Sequence, residues 1–120
     1  MSYHVTKKAF PEFVKSMPKA DYTSDGAGDI RGYIVQSGTH QVVFNENDEE
    51  VEFTPHVHAE SFGIVISGWC DLVIDGDSRR YYAGDTYRVP GGVRHFARQS
   101  AHYKDIVIFN EQERVPLAGD

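Results

Sequence analysis

A chain of 120 residues is one domain of ordinary size, long enough to bury a core without a disulfide or a metal to hold it. Its 12 Lys plus Arg against 18 Asp plus Glu give a net charge of -6, which argues against nucleic acid and anionic membrane surfaces as partners, since both select a basic face. Cys70 is the only cysteine, so no intramolecular disulfide can form, and a reducing cytoplasm fits.

No apolar stretch follows the charged N-terminus, so no signal peptide is expected. The longest aliphatic run, Ile64-Val65-Ile66, is too short to span a bilayer. The chain reads as a soluble cytoplasmic protein in three parts: an arm at 1–29 with a short helix, a β-barrel at 30–110 and a tail at 111–120. In the arm, Phe10, Phe13, Val14 and Met17 are spaced like one helix face, with Pro11 suited to the first turn and Pro18 to the end. That face must pack on its own barrel or on a partner subunit. His4 reads as a surface residue, and Ser24, Asp25, Gly26 and Gly28 mark a loop.

From Ile30 onward β-branched and aromatic residues alternate with turn residues. Strands are predicted at Ile30–Ser37, Gln41–Asn47, Val51–Val57, Phe62–Ile66, Trp69–Ile74, Arg79–Ala83, Thr86–Val89, His95–Gln99 and Lys104–Asn110. Asp75-Gly76 suits a tight hairpin, and Gly38-Thr39, Asn47-Asp48, Ser67-Gly68 and Pro90-Gly91-Gly92 mark further turns. Many short strands with regular turns imply an all-β antiparallel sandwich or barrel. The polar tail is expected to hang loose or cross to a neighbour.

His56 and His58 stand two apart on a predicted strand, so both imidazoles point to one face. Such a pair suits a transition metal with an oxygen co-ligand, although His-x-His also occurs as two solvated or hydrogen-bonded histidines. The stretch Gly84-Asp-Thr-Tyr-Arg-Val-Pro90-Gly-Gly92-Val-Arg-His95 adds a strand, a sharp break and a third histidine. It resembles the second conserved motif of the cupin superfamily: Gly, five residues, Pro, one residue, Gly, two residues, His. Pro55-His56-Val57-His58, with Gly68 ten residues on, resembles the first motif, and the resemblance covers roughly residues 51 to 99.

The resemblance implies a small single-domain cupin, a double-stranded β-helix (jelly-roll) barrel, to which the residue spacing adds a short N-terminal helix or arm. It implies His56, His58 and His95 as ligands of a divalent transition metal (Fe, Mn, Zn or Ni). It also implies a homodimer. Where the family places a fourth ligand, usually Glu, this chain has Ser61 beside Glu60. Alternation puts Ser61, Gly63 and Val65 on one face and Glu60, Phe62 and Ile64 on the other. Either Ser61 or a water takes the carboxylate's place, or a small shift swings Glu60 inward as a ligand. Three neutral imidazoles would leave positions for water or an anionic ligand, as catalytic zinc sites do. Gln99 stands where the second motif usually ends in Asn, which is not a ligand.

His102 and His40 read as surface residues, and Cys70 as a small core residue. Val65, Ser61, Ala97 and Gln99 are candidate pocket lining. Of Tyr87 and Arg88 only one can face inward, and Arg88 is read as the outward one. Three functions fit: a metal-dependent enzyme on a small molecule (oxygenase, isomerase or sugar-acid processing type), a non-catalytic small-ligand binding or sensing module, and a barrel with a structural metal. An enzyme needs an acid or base near the metal, for which Glu60 and Tyr87 are the candidates.

Overall fold

The alternation that begins at Ile30 closes into antiparallel sheets in a computed structural model describing residues 9–23 and 29–119. His4 and the loop residues Ser24, Asp25, Gly26 and Gly28 lie outside those residues. The strands are β1 (Ile30–Gln36), β2 (Gln41–Asn47), β3 (Val51–Glu52), β4 (Ser61–Ser67), β5 (Trp69–Ile74), β6 (Asp77–Tyr82), β7 (Thr86–Val89), β8 (His95–Gln99) and β9 (Lys104–Phe109). One sheet has the order β1-β2-β9-β4-β7, and the other β3-β8-β5-β6. β9 runs between β2 and β4, and β8 between β3 and β5, so strands distant in sequence interleave as in a jelly roll. The predicted all-β barrel is thus present.

Residues in register across the first sheet form inward-facing rows. Ile34, Val43, Val107, Gly63 and Tyr87 make one, and Gln41, Phe109, Ser61 and Val89 another. The main core joins Ile34, Val43, Val107 and Phe109 to Val51 and Phe53 of the opposite side. A Cβ at Gly63 would overlap the Tyr87 ring, so glycine at this position lets the tyrosine lie inside the barrel.

Three segments differ from expectation. The strand predicted over Val51–Val57 stops at Glu52, because Pro55 has no N–H for the ladder. Pairing resumes as an isolated bridge between His56 and His95. In the arm, the helix α1 (Glu12–Lys15) is capped by Pro11 in an extended conformation, so Phe10 precedes the helical spiral. Phe10 and Val14 pack with Met17 on Tyr33, Phe44 and Ile66 of the chain's own sheet, while Phe13 is 74% exposed. The next residues bond to β1, through Ala20 N–H to Gly32 O (2.9 Å) and Ile34 N–H to Pro18 O (2.8 Å), and so cover an edge that would otherwise be open. The arm therefore serves its own barrel.

The tail is not loose. Val115 is buried in the core, and Leu117 bridges to Ala20. Buried Gln41 holds both backbone groups of Val115: its Nε2 donates to the carbonyl (2.8 Å) and its Oε1 accepts from the N–H (2.9 Å). An otherwise polar segment concealed this, since the anchor is a glutamine on β2. The Gln41→Leu substitution leaves two buried backbone groups unpaired and is expected to cost about 2 kcal/mol in urea denaturation. Limited proteolysis should then cut the tail faster than in the parent; equal cutting rates would refute the anchoring role.

Candidate metal centre

Backbone bonds set the three histidines before any side-chain interaction is counted. His56 N–H donates to His95 O (2.8 Å), and His95 N–H returns a bond to His56 O (3.0 Å). After β7 the chain breaks at Pro90 and turns through Gly92, whose φ of 76° suits glycine. The Gly92 N–H then donates to the His58 carbonyl (3.0 Å). The turn that delivers His95 is thereby fastened to the segment that carries His58.

Ring centroids lie 4.4 Å apart for His56 and His95, 4.5 Å for His58 and His95, and 5.2 Å for His56 and His58. One ring nitrogen from each lies within 4.8 Å of one from the others. The Nδ1 atoms face backbone carbonyls: Thr54 O for His56 (2.7 Å), Ala59 O for His58 and Val93 O for His95 (2.8 Å). A carbonyl oxygen only accepts, so each Nδ1 carries the proton and each Nε2 keeps its lone pair for an ion. Burial pushes the His58 imidazole down to about 4 and lowers His95, against the raising effect of those carbonyls. Both are neutral at pH 7, the form that binds metal. His58 packs edge-on against Phe109 at 5.2 Å, and His56 lies 6.4 Å from Phe53, so apolar rings flank the cluster. The donor set fits a divalent transition metal.

Glu60 is not brought to this group. It turns outward and pairs with Arg88, while buried Ser61 lines the cavity below the histidines. The strand register therefore holds, and no shift swings Glu60 inward. Arg88 faces out and Tyr87 in, as alternation predicted. Of the other expected lining residues, Ala97 and Gln99 face the cavity, and Val65 packs behind it with Cys70 and Tyr103. His40 and His102 are exposed. Cys70 is buried, and burial pushes its thiol up to about 12, so it is inert core.

Sequence reading missed two charged residues of this cavity. Arg114, from the tail, lines it, with its guanidinium 5.8 Å over the Phe109 ring, and its charge lowers the pKa values of His58 and His95. Asp105 on β9 is 1% exposed. Its Oδ2 accepts from Tyr103 (2.7 Å) and Tyr87 (3.1 Å), and its Oδ1 from the Nδ2 of Asn45 (2.9 Å), whose own Oδ1 accepts from the Tyr22 hydroxyl. Burial pushes the Asp105 carboxyl up to about 6, against those donors. A signal for it existed: Asp105 shares the inward phase of Val107 and Phe109, where an acid is out of place.

An antiparallel barrel closed over three imidazoles defines a jelly-roll protein with a candidate metal centre. Solved structures place that barrel more closely. An RmlC-like cupin from Shewanella frigidimarina superposes with a TM-score of 0.70 at 20% identity, over 83% of this chain and 88% of that one. KdgF from a Halomonas species gives 0.67 at 20% identity, over 82% and 91%. A cupin-like protein from Thermotoga maritima gives 0.68 at 15% identity, over 88% and 87%. The chain is a small protein of the cupin fold. No family model matches the sequence, and no functionally curated protein matches it. No helix among the described residues is long and apolar enough to cross a membrane.

The buried titratable groups make stability depend on pH in opposite senses. Folded His58 stays neutral down to about 4, whereas the unfolded imidazole protonates below 6.5, so stability of the metal-free protein rises with pH through that window. Folded Asp105 holds its proton up to about 6 but loses it near 3.8 when unfolded, so its contribution falls with rising pH between those values. Urea denaturation of chelator-treated protein is expected to show a rise damped by Asp105. The Asp105→Asn variant should show a steeper rise, and an unchanged slope would contradict this assignment.

Proposed function

We propose that the protein is a metal-dependent enzyme acting on a small molecule, with Fe, Mn, Zn or Ni held by His56, His58 and His95. The observation that carries this reading is the convergence of three imidazoles whose Nδ1 atoms are all tied to backbone carbonyls. A bound ion would supply Lewis-acid chemistry to a ligand in the barrel. The chain's own residues do the rest. The carbonyls of Thr54, Ala59 and Val93 hold the rings in their binding tautomer, Phe53 and Phe109 limit water, and Arg114 favours an anionic head group. Oxygenase, isomerase and sugar-acid processing chemistries all suit such a site.

One observation favours the second reading, a ligand-binding or sensing module without turnover. Of the two predicted acid–base candidates, Glu60 is paired outside the barrel and the Tyr87 hydroxyl is committed to Asp105. Turnover of a bound ligand separates the readings.

The proposal includes a cytoplasmic homodimer. Support for the dimer comes from the outer face of the five-stranded sheet. There Val35, Val42, Ile108 and Phe62 lie in register, and Phe62 and Ile108 are 48% and 42% exposed.

Elemental analysis of protein purified without chelators is expected to find about one metal per chain. His56→Ala and His95→Ala should each remove most of it; an empty parent, or variants that keep the metal, would sink the metal reading. Sedimentation of the parent is expected to give a dimer, and Phe62→Glu with Ile108→Glu a monomer. A monomeric parent at micromolar concentration refutes the dimer.

A further inference from the structure

The cavity runs inward from the histidine centre, and its far end carries a second set of polar groups. On β8, Gln99 lies four residues beyond His95; on β9, Asp105 lies four residues before Phe109, which packs on His58. Four residues of strand are about 13 Å. Gln99 and Asp105 therefore mark the end opposite the histidines, and they belong to different sheets. Cys70 joins them: it pairs with Gln99 in register and lies close enough to Asp105 to feel its charge. This end is closed, with Gln99 5% exposed and Asp105 1%.

Gln99 faces the cavity, and its buried Oε1 accepts no hydrogen bond from any described residue. A buried carbonyl oxygen without a donor costs free energy, which a ligand donor placed there relieves. The Asp105 carboxylate adds negative charge nearby. Its three protein donors use three of roughly four acceptor positions. The histidine end has the opposite character, with Arg114 beside neutral imidazoles. Charge across the cavity thus orders a ligand: anionic head at the histidines, hydrogen-bond donor at the closed end.

We propose that Gln99 and Asp105 form a second binding subsite, which takes the hydroxyl of a short hydroxylated carboxylate whose head group sits at the three histidines. The head-group half of this statement rests on the functional reading above; the hydroxyl half does not. Size sets the chain length. The cavity is about 70 Å³. A cavity of about 150 Å³ holds benzene, so this one has room for roughly three or four chain atoms. The hydroxypropyl chain of 4-hydroxybutanoate meets that limit when its carboxylate sits at the outer end of the cavity, where His56 and His58 are only half-buried.

Calorimetric titration of the whole protein with 4-hydroxybutanoate and with butanoate tests the proposal. The hydroxy acid is expected to bind at least roughly tenfold tighter, because a site built around a hydroxyl discriminates against the analogue lacking it. Gln99→Leu should bring the two affinities within about twofold of each other. If that variant does not fold, NMR of the parent gives the same answer: the Gln99 side-chain amide should shift with 4-hydroxybutanoate and not with butanoate. Equal affinities in the parent, meaning that only water occupies the subsite, would overturn the proposal. So would retention of the preference in Gln99→Leu, or failure of both acids to bind at millimolar concentration. Repeating the titrations after chelation separates the two readings. If the metal reading fails, chelation leaves both affinities unchanged and the ratio between them still reports the hydroxyl subsite.

Discussion

The reciprocal backbone pair between His56 and His95 is the constraint on which the rest of the site depends. The ladder between β3 and β8 is broken at Thr54-Pro55 and would otherwise end there. One further pair of bonds restores the register for a single step, and that step places two imidazoles 4.4 Å apart. His58 follows two residues later, outside any strand, and the bond from the Gly92 N–H to its carbonyl fastens it beside the other two rings. A slip of one residue would turn the rings away from the cavity, and the burial of Val51 and Gln99, with half-buried Ala97 on the same face, resists that slip.

Alternation also explains how a charged group comes to lie inside the barrel. β9 presents Asp105, Val107 and Phe109 inward, while Asn45 pairs with Asp105 in register from β2. A lone buried carboxylate would be prohibitively costly. Here Tyr87, Tyr103 and Asn45 all donate to it, and Tyr22 completes the chain of bonds through Asn45. The Tyr87 ring reaches that position because Gly63 across the ladder has no side chain. Two inward positions on neighbouring strands, one empty and one aromatic, are therefore a single feature.

Much of this was legible in the sequence. Four of the nine predicted strands, Gln41–Asn47, Trp69–Ile74, Thr86–Val89 and His95–Gln99, keep their predicted bounds, since turn residues punctuate them closely. The three histidines were legible because the His-x-His spacing and the Pro90-Gly91-Gly92 turn are local signals in the sequence, although the backbone pair that joins His56 to His95 is long-range. What was hidden depends on long-range contacts. Gln41 holds the tail from 74 residues away, and Arg114 enters the cavity only because that tail is held. Local spacing likewise overstated the arm: Phe13 fits a helical face, but extended Pro11 starts the helix too late for Phe10 and Phe13 to share it.

The departure at the fourth ligand position fits the chemistry of the cavity as a whole. A carboxylate at position 61 would have met the histidine centre with negative charge and competed with an anionic ligand for the same ion. Ser61 removes that charge, and the acid next to it is held outside by Arg88. The buried acid of this cavity, Asp105, sits instead at the closed end, with Arg114 near the histidines. The cavity thus keeps a buried carboxylate, but at the end away from the three histidines.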